Sequence, residues 1–231
     1  MRLLFWLGLP LVLPQALVVR ARATRLPPAD GPDRGVVGDG PVRRLLAFGD
    51  SIIAGTGVAA LVDAMPGQLA RALAERHGAR VEWRALGTNG WTAADLLAAL
   101  DRLEGTPEPD WIFLSVGVND TTSLTLGRAY RERLSRLLDV LTERAPAATV
   151  LLAGIPPMQR FPALPEPLAT VFGWRAARLD GIAARVARER PRVRHLPTPV
   201  PDDPAAFAAD GYHPNAAACA LWAGAVAQAS G

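Results

Sequence analysis

Trp111-Ile112-Phe113-Leu114-Ser115-Val116, running directly into Gly117-Val118-Asn119-Asp120, is the stretch that decides the fold class. A short apolar run without polar alternation, closed by a glycine, reads as a strand buried on both faces. Related runs flank it. Leu45-Leu46-Ala47-Phe48 ends at Gly49, Arg80 to Leu86 is strand-like, Thr149 to Ile155 is apolar, and Val193 to Leu196 is a weaker fifth run. Helical spacing fills the intervals: Leu96, Leu100 and Leu103 share a face, as do Leu134, Leu137, Leu138 and Leu141, and then Leu179, Ile182, Ala183 and Val186. Pro66 suits the first turn of a helix ending at His77, and Ala216 to Ala227 reads as a closing helix. This alternation predicts an α/β domain with a central, mostly parallel, five-stranded sheet covered on both faces. The motifs that follow these runs stand where open α/β sheets place their ligands.

The chain has 231 residues, enough for one such domain and too few for two ordinary ones. All 25 basic residues are Arg. Residues 1–44 carry a net charge of +4 and the remainder −1, so the high pI belongs to the N-terminal arm and not to a basic groove. No nucleic-acid partner is expected; attraction of the arm to anionic lipid is the simpler reading. Cys219 is the one cysteine, which excludes an intrachain disulfide, and its alanine-rich surroundings suit core filler.

Leu3 to Val19 is apolar apart from Gln15, with Pro10 and Pro14 inside it. As a helix this would span about 25 Å, marginal against a hydrocarbon core of about 30 Å. Residues 1–23 are therefore expected to be a hydrophobic anchor or signal. Arg20, Arg22 and Arg25 directly after the apolar run favour a retained, membrane-associated segment. Cleavage after Ala21-Arg22-Ala23, giving a secreted or periplasmic protein, is the alternative. Residues 24–42, dense in Pro and Gly, read as a linker, and the domain is expected over 43–231.

Within that domain the chemistry-bearing motifs are Gly49-Asp50-Ser51, Gly87-Thr88-Asn89-Gly90-Trp91-Thr92, Gly117-Val118-Asn119-Asp120 and Asp210-Gly211-Tyr212-His213. Ser51 is the candidate nucleophile, and a serine hydroxyl needs a base within hydrogen-bond reach. The surrounding residues form neither a Gly-x-Ser-x-Gly elbow nor a Walker-type phosphate loop, which would need a Lys. His213 is the candidate base, with Asp210 three residues earlier to orient the ring. His77 suits a helix C-terminus and His195 a strand; Asp202 and Asp203 read as solvated loop. Asn119, the Gly90 backbone N–H and the Ser51 N–H are candidate donors to an oxyanion. Asp50 and Asp120 read as structural carboxylates. Together these are the parts of a serine hydrolase.

With those residues in place, the chain resembles the SGNH hydrolases, also called the GDSL esterase/lipase family, over roughly residues 43–229. Within that family it is most similar to bacterial lysophospholipase-like esterases. The resemblance implies a flavodoxin-like three-layer sandwich and catalysis by Ser51, Asp210 and His213. It further implies an oxyanion hole of Ser51, Gly90 and Asn119, with no metal and no organic cofactor. Trp91 departs from the smaller or polar residues common in the family; shaping an acyl pocket and packing on the sheet are both open to it. Phe161 and Leu164, in the loop after Gly154-Ile155-Pro156-Pro157-Met158, either receive an acyl chain or pack under a long connection. The expected partner is a small-molecule or lipid ester, with a membrane surface met by the N-terminal segment. Hydrolysis through an acyl-serine leads. Acyl transfer or thioester cleavage by the same residues, and a non-catalytic tethered binding domain, are the alternatives.

Overall fold

A computed structural model describes residues 2–231 of the chain. In chain order the elements are α1 (Arg2–Arg22), β1 (Arg34–Val37), β2 (Val42–Gly49), α2 (Met65–His77), β3 (Arg80–Gly87), α3 (Ala93–Ala98), β4 (Trp111–Ser115) and α4 (Val118–Thr122). They continue with α5 (Gly127–Arg144), β5 (Thr149–Ala153), α6 (Leu168–Arg188), β6 (Val193–Leu196) and α7 (Ala216–Gln228).

The strands form one sheet in the order β1-β3-β2-β4-β5-β6. From β3 to β6 every pairing is parallel. That order winds in opposite directions from β2, the flavodoxin-like arrangement, with its switch point between β2 and β4. At this point Gly49 lies in register with both Gly87 and Ser115, so three strands end side by side.

Side chains alternate across the sheet as the pleat requires. Leu46, Phe48, Ile112, Leu114, Val150 and Leu152 pack with α3, α5 and α6. Leu45, Ala47, Trp111, Phe113, Leu151 and Ala153 pack with α2 and α7 on the other face. Two-sided burial is why these strands lack polar alternation in the sequence.

The sheet has six strands, not the expected five. The sixth, β1, lies inside the stretch expected to be a linker and pairs antiparallel with β3, Val37 opposite Val81. It satisfies backbone groups that β3 would otherwise leave open at its edge. Upstream, the Ala29 and Asp30 N–H groups donate to Ala54 and Ala59, and Leu61 N–H donates to Asp30. Residues 24–42 are thus laid along the domain, and the boundary placed near Val42 moves upstream.

Among the described residues no helix is long and apolar enough to cross a membrane. Helix α1 packs against α6, its Phe5 ring set edge-on to Phe172 at a centroid distance of 6.1 Å.

Candidate active site

Four loops at the C-terminal ends of the parallel strands meet at the switch point. The first follows β2. Asp50 accepts the Ile53 and Ala54 N–H groups through its carbonyl, and Ser51 accepts Thr56 N–H, which curls the chain into successive turns. These turns put Ser51 over the sheet edge, its residue only 8% exposed. The Asp50 side chain faces inward, accepting the Ser115 hydroxyl at 2.9 Å and Ile52 N–H at 3.1 Å. Burial is the main influence on Asp50 and pushes its carboxyl up to about 6, against the opposing pull of those hydrogen bonds and of His213.

The second loop follows β6. Phe207 and Pro214 form a β-bridge, and Asn215 caps α7 by accepting Ala218 N–H at 3.0 Å. Between them Asp210 Oδ1 accepts the backbone N–H of Tyr212 and of His213 at 2.9 and 3.1 Å. This Asx-type turn aims the second carboxylate oxygen at the ring: Asp210 Oδ2 lies 2.6 Å from His213 Nδ1. Burial alone would raise the Asp210 carboxyl, but the ring and the two N–H groups together outweigh it and hold it below the usual carboxylate range.

His213 Nε2 lies 2.8 Å from Ser51 Oγ, across 162 residues of sequence. Gly57 permits the approach. Its φ is 94°, and a Cβ there would come within 3.0 Å of the His213 Cβ and still closer to that of Ala208. Ser51, His213 and Asp210 therefore form one continuous hydrogen-bonded chain, the geometry that proton transfer from a serine hydroxyl requires.

The remaining two loops follow β3 and β4. Gly90 adopts φ 89°, favoured by glycine, and it shares a cleft with Ser51, Asn119 and His213. Neither the Ser51 nor the Gly90 N–H is spent on a backbone carbonyl among the described residues. The Asn119 amide donates to the Trp91 carbonyl at 2.9 Å, which leaves its second N–H proton available. Asp120 accepts Ala93 N–H at 2.9 Å, tying this loop to the start of α3. That contact gives Asp120 a structural task.

Trp91 packs edge-on to Phe48, with the Arg102 guanidinium 5.3 Å over its ring, and does not line the cleft. His77 bonds Ser230 at 2.8 Å and His195 bonds Asp180 at 2.7 Å, both remote from Ser51 in the hydrogen-bond network. Asp202 pairs with Arg160, and Asp203 accepts Ala205 N–H. Burial pushes the Cys219 thiol up to about 12, which leaves it inert as a thiolate. Among the described residues no group of three or more His, Cys, Asp or Glu side chains is placed to hold a metal ion.

The cleft has a volume of about 830 Å³. Met158, Phe161 and Leu164 line one side, so the loop after β5 does border the site. Phe161 is braced edge-on by Phe207 and Tyr212. Sequence reasoning missed two contributors: Ser115, which holds Asp50, and α1, whose Leu9, Leu13, Ala16 and Leu17 line the cleft.

Comparison with known proteins agrees with this arrangement. The model of the GDSL-like Lipase/Acylhydrolase family matches residues 47–221. A GDSL-like esterase of Mycobacterium tuberculosis is 33% identical over 204 residues, covering 80% of this chain. The match spans 63% of that relative's length. Among solved structures, a lipase/acylhydrolase from Enterococcus faecalis superposes with a TM-score of 0.63 at 22% identity, covering 81% of this chain and 94% of that one. The protein TesA superposes with a TM-score of 0.61 at 25% identity, covering 80% and 96%. With most of its folded region matched by the family model, and with the four motif loops gathered at one switch point, the chain belongs to the GDSL-like lipase/acylhydrolase family.

Proposed function

We propose that this chain is a carboxylic ester hydrolase that works through an acyl-serine intermediate. The observation that carries the reading is the unbroken line from Ser51 Oγ to His213 Nε2 at 2.8 Å and from His213 Nδ1 to Asp210 at 2.6 Å. Family membership supports the same chemistry.

In the first half-reaction Ser51 Oγ attacks the ester carbonyl carbon while His213 Nε2 takes the hydroxyl proton. Asp210 holds the ring and balances the imidazolium charge. The carbonyl oxygen becomes an oxyanion facing the N–H groups of Ser51 and Gly90 and the free amide proton of Asn119. The C–O bond to the leaving alcohol then breaks, and His213 returns its proton to that oxygen. In the second half, water attacks the acyl-serine, His213 takes and then returns a proton, and the carboxylic acid leaves with Ser51 restored.

An apolar cleft beside this triad fits an acyl chain, so acyl lipids are the proposed substrate class. The outward side of α1 exposes Leu7, Leu11 and Val18, with Arg22 in its last turn. This combination suits a helix lying on an anionic lipid surface, and we place the enzyme there.

The test is hydrolysis of p-nitrophenyl esters by the full chain and by Ser51→Ala. Turnover that vanishes with the hydroxyl is expected. Unchanged turnover in the variant would remove Ser51 from the mechanism.

A further inference from the structure

The N-terminal helix is built into the body of the protein. At 3.6 residues per turn, α1 presents three distinct sides. Phe5, Val12 and Val19 share one with Gly8; Leu9, Leu13, Ala16, Leu17 and Arg20 share the next; Leu7, Leu11 and Val18 share the third.

The first side is fixed by specific contacts. Phe5 is 3% and Val12 1% exposed. A Cβ at Gly8 would stand 3.2 Å from Val171, so the absence of a side chain there sets how closely α1 approaches α6. The Arg175 guanidinium sits 4.9 Å over the Phe5 ring and 5.8 Å over that of Trp6. Gln15, the lone polar residue of the apolar run, is engaged through both ends of its amide: it donates to Glu166 O at 2.9 Å and accepts Leu168 N–H at 3.2 Å. That N–H belongs to the first turn of α6, where donors lack helical partners. Neither a spanning anchor nor a cleaved leader gives Gln15 a task. Pro10 and Pro14 also weaken α1 as a free helix, so its form depends on this packing.

The second side faces the cleft that holds Ser51 and His213. Leu13 and Leu17 line it while remaining 46% and 59% exposed. Large apolar side chains left open inside a catalytic cleft are surfaces for a ligand to cover. From Leu9 to Arg20 this side runs about 16 Å along the helix axis, long enough to accompany an extended hydrocarbon chain and too long for an acetyl group.

We propose that α1 forms a wall of the acyl site, with Leu13 and Leu17 selecting esters of long acyl chains over short ones. The proposal rests on the esterase reading above.

Its test compares kcat/KM for p-nitrophenyl decanoate with that for p-nitrophenyl acetate. The full chain is measured beside a Leu13→Gln/Leu17→Gln double variant and a Leu11→Gln control. Leu13 and Leu17 are partly exposed, so the changes leave the packed core alone; Leu11 is 82% exposed on the third side. The decanoate-to-acetate ratio is expected to fall roughly tenfold or more in the double variant and to stay at the parent value in Leu11→Gln. An unmoved ratio in the double variant, or an equal fall in the control, overturns the wall. A parent chain that hydrolyses neither ester and takes no fluorophosphonate at Ser51 overturns the esterase reading itself, and the wall with it.

Discussion

The Asn119 side-chain amide donates to the Trp91 carbonyl oxygen across 2.9 Å, joining the loop after β4 to the loop that carries Gly90. One amide proton is spent on this tie, and the other is free to meet a developing oxyanion. Asn119→Ala removes both. Its kcat toward a short ester is expected to drop ~10²–10³-fold with a much smaller change in KM. Steady-state kinetics decide it, and a loss confined to KM would contradict the assignment.

Asp50 gives a prediction about pH and stability. Burial raises its carboxyl to about 6, so the folded chain holds the proton more tightly than the unfolded chain does. The stability this contributes is fully present below the unfolded value of about 3.9 and is lost as pH rises through the folded one. Asp50→Asn keeps the shape without the charge. Thermal melts of the two full-length proteins should show Tm shifting in the variant's favour between about pH 4 and about pH 7. A Tm difference that is flat with pH would refute the shift.

Arg175 is 3% exposed and donates to the carbonyl oxygens of Thr121 and Thr125 while stacking on Phe5. Arg175→Met would leave the Thr125 carbonyl without its donor, leave that of Thr121 a long contact to Leu124 N–H at 3.4 Å, and loosen α1. Urea unfolding of the full chain should report a loss of about 2 kcal/mol or more. An unchanged midpoint would show that the guanidinium holds nothing together.

At a lipid surface, the full chain should co-sediment with phosphatidylglycerol vesicles, and added salt should weaken the binding. Arg22→Gln/Arg25→Gln should bind less. Equal binding to neutral phosphatidylcholine vesicles would set aside the role given to charge.

What the sequence made legible follows from the range of each interaction. The central strands β2, β4 and β5 stood out because both faces are buried, which leaves Leu45 to Phe48, Trp111 to Leu114 and Val150 to Ala153 without polar interruption, whereas β3 alternates buried and half-open residues. Asp210 and His213 were legible as a pair because one tight turn joins them. Nothing local announced β1. Arg34-Gly35-Val36-Val37 is short, half open to solvent and set among prolines and glycines, and it becomes a strand because β3 offers an open edge. The docking of α1 was hidden for a different reason. A helix that is apolar all round has no moment to say which side is buried, and Leu3 to Val19 suits lipid as well as it suits α6. Trp91 was open to two readings; its ring settles on Phe48 while its carbonyl serves Asn119.

The central claim is that Ser51 is a nucleophile primed by His213. The direct measurement treats the full chain with a fluorophosphonate and maps the adduct by peptide mass, in parallel with Ser51→Ala and His213→Ala. One adduct is expected, on Ser51, absent from Ser51→Ala and formed far more slowly in His213→Ala. An intact chain that takes no label, or a His213→Ala variant labelled at Ser51 at the parent rate, would contradict it.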